Sequence, residues 1–439
     1  MPRIRTRTAA ARDAILVIDL GGDKAMFHKM RQRAKELGRV FRFFSLDADR
    51  SHSFDPFQMI GQTHRIIRLC NLFLEAFSLD HGIVYGGSWF SQRNLLMLLA
   101  ICEEMVAQRR NGREITLQEV DRYLSGPKCA NIKDAEQVRG IFRFLLAYEQ
   151  LQPSSSDTDL IDLKRAIENG EVIYAFLPAI SEATTSRQIA GLFLQVAVAS
   201  AMQLYEEREG SSRPQPHLHC FCDEAATIAG ASFESLLTGA RKYGVSLYMA
   251  YQTTESLQKE KATDLAPAMR DNSVLKMYFT VTGCRDIEEL RTFSREDTRP
   301  FRSSQKGLSV RLNGISAFGR DSESEQLTTQ LSKNEVLDIS ARKGAFLAII
   351  DDGLGHREPI PGMGSYAMSK AEYLKFLATP LPLVRKRDSG LKDGGASAPK
   401  LPRWEETHLA AKKTKVHRER LARISALLKE LDAKEQIGF

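Results

Sequence analysis

Two adjacent carboxylates, Asp223 and Glu224, end the apolar run LHCFC and are followed by the small residues AATIAGA. In a sheet that hydrolyses nucleotides, the first such carboxylate holds Mg²⁺ and the second polarises the attacking water. Both must then sit at the carboxyl end of a strand. Gln252 lies 29 residues beyond Asp223, room for one helix and one returning strand. That spacing brings its amide beside the carboxylates, where it can contact a γ-phosphate or the water. A second polar loop, Asp19 to Asp23 (DLGGD), closes the apolar run AILVID and contains Gly21 and Gly22. Arg241 has two readings: a cation near a helix C-terminus, or a charge aimed at γ-phosphate oxygens across a subunit boundary. One part of such a site is missing. The phosphate-cradling loop G-x-x-x-x-G-K-[ST] does not occur, and no Gly-Lys dipeptide exists in the 439 residues.

The elements that must position these groups are legible as an α/β pattern. AILVID (14–19) and VFRFFS (40–45) read as strands around a helix from Lys24 to Leu37, with Gly38 as its C-terminal stop. EVIYAFL (171–177), residues 217–222 and VSLYMAY (245–251) continue the strands, and their near-continuous apolar character is that of a buried parallel sheet. Helices are expected at 163–169, 186–207 and 233–243. Further strands are expected at 274–280 and 345–350, the latter as the last strand. Between 87 and 152 the pattern is helical throughout, and Thr116 with Glu119 three residues later predicts a capping box. Residues 298–325, rich in Ser, Arg and Gly, read as an exposed mobile loop.

Composition bounds the rest. With 43% hydrophobic residues the chain can bury a large core. The net charge of +7 is a tail property: residues 381–439 hold 14 Lys and Arg against eight Asp and Glu. Such a tail can bind nucleic acid, acidic lipid headgroups or an acidic partner, or is a solvated helix; Leu421, Ile424, Leu427, Leu428 and Leu431 fall at amphipathic spacing. Six cysteines show no framework spacing, which points to free thiols in a reducing compartment. Cys220 and Cys222 share a strand face near His217 and His219, but no second pair follows at zinc spacing. The longest uncharged stretch, 188–205, contains three Gln and one Ser and reads as a buried helix, not a membrane span.

Taken together, VIDLGGDKAMFHKMRQRAKELGRVFRFFSL, SFDPF, DLKRAIENGEVIYAFLPAI, FCDEAATI, ARKYGVSLYMAYQT and MRDNSVLKMYFTVTG resemble the TraD/TraG-type coupling proteins of conjugation. These type IV secretion ATPases belong with the FtsK and HerA-like hexameric motors. The likeness runs from about Ile15 to Ile360. It implies a RecA-like, doubly wound, mostly parallel α/β sheet in two parts (1–86 and 153–378), an all-α inserted domain (87–152), and a linker with a basic helical tail (379–439). It implies ATP and Mg²⁺ as cofactors, with Asp223 holding the metal through water, Glu224 as general base and Gln252 as sensor. Arg241 would act in trans, and Asp19, Gly21, Gly22 and Asp23 would lie at the nucleotide.

The partners it implies are single-stranded DNA or a relaxase–DNA complex, type IV secretion channel proteins and the other subunits of a hexameric ring. The place it implies is the cytoplasm, at the inner face of the bacterial inner membrane. Family members carry a membrane anchor and a Walker A loop before the equivalent of Ile15, and the sequence from Met1 is too short for either. ATP turnover by this polypeptide alone is therefore not expected. A split or truncated motor, a degenerate subunit of a mixed ring and a non-catalytic adaptor all remain open.

Overall fold

A computed structural model describes residues 13–384, apart from 61–64, 80–86, 131–135, 154–158, 212–213, 229–232, 260–262, 282, 295, 312–313, 330 and 352–357. The basic tail and its leucine spacing lie outside the described residues. The chain opens with β1 (Ala14–Asp19), α1 (Lys24–Glu36) and β2 (Phe41–Ser45), then a short strand β3 (Ser53–Phe54). Helices follow: α2 (Ile66–Ala76), α3 (Gly87–Arg110), α4 (Leu117–Leu124), α5 (Pro127–Ala130) and α6 (Glu136–Leu145). The α/β order resumes with β4 (Leu160–Ile161), α7 (Leu163–Asn169), β5 (Val172–Phe176), α8 (Ala179–Glu207), β6 (Leu218–Asp223), α9 (Phe233–Gly239) and β7 (Val245–Met249). Beyond it come the short pair β8 (Gln258–Lys259) and β9 (Thr263–Asp264), then α10 (Ala266–Asn272), β10 (Leu275–Phe279) and α11 (Cys284–Phe293). The last elements are β11 (Glu296–Arg311), β12 (Gly314–Thr329), α12 (Lys333–Ser340), β13 (Ala345–Ile350), β14 (Pro359–Met363) and α13 (Lys370–Ala378).

The central sheet has the order β2-β5-β1-β6-β7, with every neighbouring pair parallel. Its register sets Asp19 directly opposite Asp223 at the carboxyl ends of β1 and β6. On one face α1 is anchored by Phe27, fully buried against Phe41, Phe43, Tyr174 and Phe176. On the other face α8 is a core helix, and Phe193 stacks on Phe54 with ring centroids 4.0 Å apart. Gly191 lets α8 approach α2: a Cβ there would lie 2.0 Å from the Ala76 carbonyl oxygen. The helices between 87 and 152 share this core, because Phe142 of α6 packs on Phe57, Phe73 and Phe77. The capping box is present, with Thr116 Oγ1 accepting from the Glu119 N–H and Glu119 from the Thr116 N–H. Five cysteines are buried and Cys284 is exposed.

Three expectations are corrected. Residues 298–325 are not a loop but the greater part of a 16-pair antiparallel ribbon, β11 with β12. Its Thr, Val, Phe and Ile residues suit strands, a signal that the Ser and Arg content obscures. The strand 345–350 is not the last, since β14 pairs with it as an edge strand. Pro359 and Pro361 are tolerated there because an edge has no second ladder to serve. The helix expected from 186 begins at Ala179, with a non-helical Glu182 (φ −142°) interrupting its first turns.

Asp55, in the SFDPF turn, accepts from the Phe57 N–H at 2.8 Å. Burial pushes its carboxyl up to about 6 from the ordinary 3.8. The folded state therefore holds this proton more tightly than the unfolded chain. Stability from this group is present at low pH and is lost as pH rises from about 4 through about 6. Asp55→Asn is expected to flatten the stability–pH curve over that window, read by urea unfolding at a series of pH values. An unchanged slope contradicts the assignment.

Candidate functional site at the carboxyl rim of the sheet

The loop after β1 is built around Asp19, which is almost completely buried. Its Oδ1 accepts from the Gly22 N–H at 2.6 Å, and its Oδ2 accepts from the Asp23 N–H at 3.1 Å and the Tyr174 hydroxyl at 2.8 Å. Burial, only partly offset by the Tyr174 hydrogen bond, raises the Asp19 carboxyl above its usual range, and nearby Asp223 pushes the same way. Asp23 caps α1, accepting from the Ala25 and Met26 N–H groups. Gly22 has φ +75°, and a Cβ on it would meet Pro178 at 2.8 Å, so only glycine fits there. At Gly21 a Cβ would come within 2.8 Å of Asp223 Oδ2. The loop backbone thus lies directly against the second carboxylate.

Asp223 ends β6, and burial raises its carboxyl, with Glu224 and Asp23 adding repulsion. Glu224 sits in the left-handed region at φ 55°, uncommon for a residue with a Cβ and a form of strain that gathers at functional sites. This turn re-aims the side chain towards Gln252, whose Nε2 donates to Glu224 Oε1 at 2.9 Å. Asp19, Gly21, Asp223, Glu224 and Gln252 therefore meet at one rim, and Gly22 and Asp23 complete the loop. Arg241 does not join them. It lies in the turn before β7, at the opposite edge of the sheet, separated by about 17 Å of strand at ~3.3 Å per residue. Tyr174 is a site residue the sequence reading missed; its signal was a lone hydroxyl inside the apolar run EVIYAFL.

The donors on this rim suit a hard cation held with water and phosphate oxygens, the way Mg²⁺ is usually bound. No group of three or more His, Cys, Asp or Glu placed to hold a metal occurs among the described residues. A metal here would complete its shell with water or with oxygens from a nucleotide. The phosphate half does not fit: no loop with backbone N–H groups and a lysine to cradle β- and γ-phosphates exists in the sequence.

Residues 217–336 match the family described as the TraM recognition site of TraD and TraG. By sequence, no curated protein matches the chain. Among solved structures, the bacterial conjugative coupling protein TrwBdeltaN70 in its unbound monoclinic form is similar at 14% identity. The match has TM-score 0.52 over 80% of this chain and 84% of that one. The plasmid coupling protein TrwB in complex with ADP and Mg²⁺ gives 13% identity and TM-score 0.52, over 81% and 86%. TrwB with the non-hydrolysable ATP analogue ADPNP gives 13% and 0.51, over 80% and 85%. The RecA-like α/β fold expected from the resemblance is thus the fold found. Residues 217–336 are thus similar to the recognition segment of TraD and TraG, and the chain shares the fold of the coupling protein TrwB over about four fifths of its length.

Proposed function

We propose that this chain is a coupling-protein-like subunit of a conjugative type IV secretion machine, moving single-stranded DNA or a relaxase–DNA complex towards the channel. The observation that carries this reading is the convergence of Asp223, Glu224 and Gln252 on one rim, with Gln252 bonded to Glu224. In this role Asp223 would hold Mg²⁺ through water and Glu224 would take a proton from a water aimed at the nucleotide, while Gln252 holds the Glu224 carboxylate in place. Bound ATP would supply the phosphoryl group. Asp19, Gly21, Gly22 and Asp23 shape the wall beside Asp223.

Arg241, at the far edge, serves a neighbouring subunit of a hexameric ring. DNA contact runs through Lys and Arg to phosphates and is salt-dependent. The subunit works in the cytoplasm, at the inner face of the inner membrane through its partners. The missing Gly-Lys loop favours a second reading, an adaptor that recognises transfer substrates without turning over ATP. DNA transfer from a host carrying the element tests the first reading. Removing the chain is expected to abolish transfer and re-expression to restore it; transfer that persists without the chain excludes a coupling role.

A further inference from the structure

The ribbon of β11 and β12 is a two-stranded sheet of its own, and among the described residues no third strand joins either edge. Its 16 register pairs span about 50 Å at ~3.4 Å per residue. Both ends are held at the root. The Leu331 N–H donates to Ser294 Oγ at 3.4 Å, and α11 and α12 pack Ile287, Leu290 and Val336 on Leu347 and Ile349 of β13. A short turn would connect α11 to α12 equally well. A lone hairpin is at best marginal in water, so an arm of this length points to a partner.

Charge divides the ribbon into two parts. The nine pairs nearest the root, from Glu296–Thr329 to Ser304–Asp321, hold five acids against Arg299 and Arg302. The seven outer pairs, from Gln305–Arg320 to Arg311–Gly314, hold Lys306, Arg311 and Arg320 and no acid. The register follows the same division. Arg302 stands opposite Glu323, an arrangement that stabilises a strand pair. Lys306, Arg311 and Arg320 stand opposite Gly319, Gly314 and Gln305. Asp321, one diagonal step from Lys306, marks where the acidic root begins. Arg311 and Arg320 have no acid among their cross-strand neighbours.

Alternation places Gln305, Ser309 and Arg311 on one face with Ser316 and Arg320. Arginine, serine and glutamine are side chains that bind phosphate oxygens. The other face carries Leu308, Val310, Ile315 and Ala317, apolar types suited to the methyl surface of a DNA groove. Magnitudes then select the partner. Three cations fall short of the roughly four to eight that mark a segment binding anionic lipid. A single strand is held by bases stacked on successive aromatic rings, and the outer pairs offer Phe318 alone. The major groove of duplex DNA, about 12 Å wide, admits a two-stranded ribbon.

We infer that the seven outer pairs of the ribbon grip duplex DNA, with Arg311 and Arg320 on its phosphates and Lys306 beside them. The acidic root repels the duplex and confines it to the far end of the arm. The inference deepens the proposed DNA role by naming a duplex as ligand and the ribbon as its holder. It rests on that reading only for the setting in which the duplex is met.

Fluorescence anisotropy of the full chain with a labelled mixed-sequence duplex tests it. The combined variant Lys306→Gln, Arg311→Gln, Arg320→Gln is expected to bind about 10-fold or more weakly at low salt. Its slope of log affinity against log salt should be shallower by about 2.7, at ~0.9 per lost phosphate contact. Asp321→Asn with Glu323→Gln, at the root of the same ribbon, is expected to hold or strengthen binding. Melting curves check that both variants fold. A photo-crosslinking amino acid at Ser309 of the otherwise wild-type chain reads the contact independently and should capture the duplex. Unchanged affinity and slope in the cation variant, an equal loss in the acid variant, or no capture at Ser309 overturns the inference. So does a larger loss for single-stranded DNA or phosphatidylserine vesicles than for the duplex. The two readings fail separately. Ribbon-dependent duplex binding with DNA transfer intact after removal of the chain leaves the grip and sinks the coupling role. Loss of transfer on removal, with duplex binding indifferent to the ribbon, does the reverse.

Discussion

Glu224→Gln is expected to lower DNA transfer by at least about 100-fold, the lower end of what a positioned general base contributes. The substitution keeps size and hydrogen-bonding reach, so the left-handed turn at φ 55° and the contact to Gln252 survive. What disappears is the ability to take a proton from water. Protein level and melting temperature should therefore match those of the wild type while transfer falls. A variant that transfers at the wild-type frequency removes the catalytic role from Glu224 and leaves the adaptor reading.

Phe27→Ala carries the largest expected effect on stability. The ring is fully buried and meets four aromatic neighbours edge-on, with centroids 5.1 to 6.2 Å away. Removing a buried phenylalanine ring costs about 3–5 kcal/mol, because the rigid neighbours Phe43, Tyr174 and Phe176 cannot collapse into the space. Global stabilities are only about 5–15 kcal/mol, so the loss approaches that of folding itself. The consequence reaches the site, since α1 starts at Asp23 and carries the loop that lies against Asp223. Urea unfolding should show a much lower midpoint with an unchanged slope. A shift under about 1 kcal/mol would mean that α1 is not held by this cluster.

Much of this architecture is written in local pattern. AILVID and EVIYAFL are buried on both faces, so they had to be apolar almost throughout, and that run identifies them as central parallel strands; LHCFCD is fully buried on one face only. The meeting of Asp223, Glu224 and Gln252 was legible for the same reason: parallel strands deliver their carboxyl ends to one rim. The left-handed Glu224 was not legible, because its conformation is imposed by the β6 end and not by its own propensity. Nor was the role of Asp19 as the organiser of its loop, which depends on Tyr174 from a strand 155 residues away. The pairing of β10 with β13 was equally hidden: both read as strands, but alternation fixes faces and not partners. Pro359 and Pro361 masked β14, and serines and arginines masked the long ribbon.

The central claim is that one rim of the parallel sheet, bounded by Asp19, Gly21, Asp223 and Glu224, is a cation-binding corner. Anomalous diffraction from crystals of the chain equilibrated with Mn²⁺, a magnesium substitute, addresses it most directly. The account predicts a single manganese peak within water-mediated reach of the Asp223 carboxylate that is absent from crystals of Asp223→Asn. A peak elsewhere on the surface, or one at the rim that survives the substitution, would contradict it.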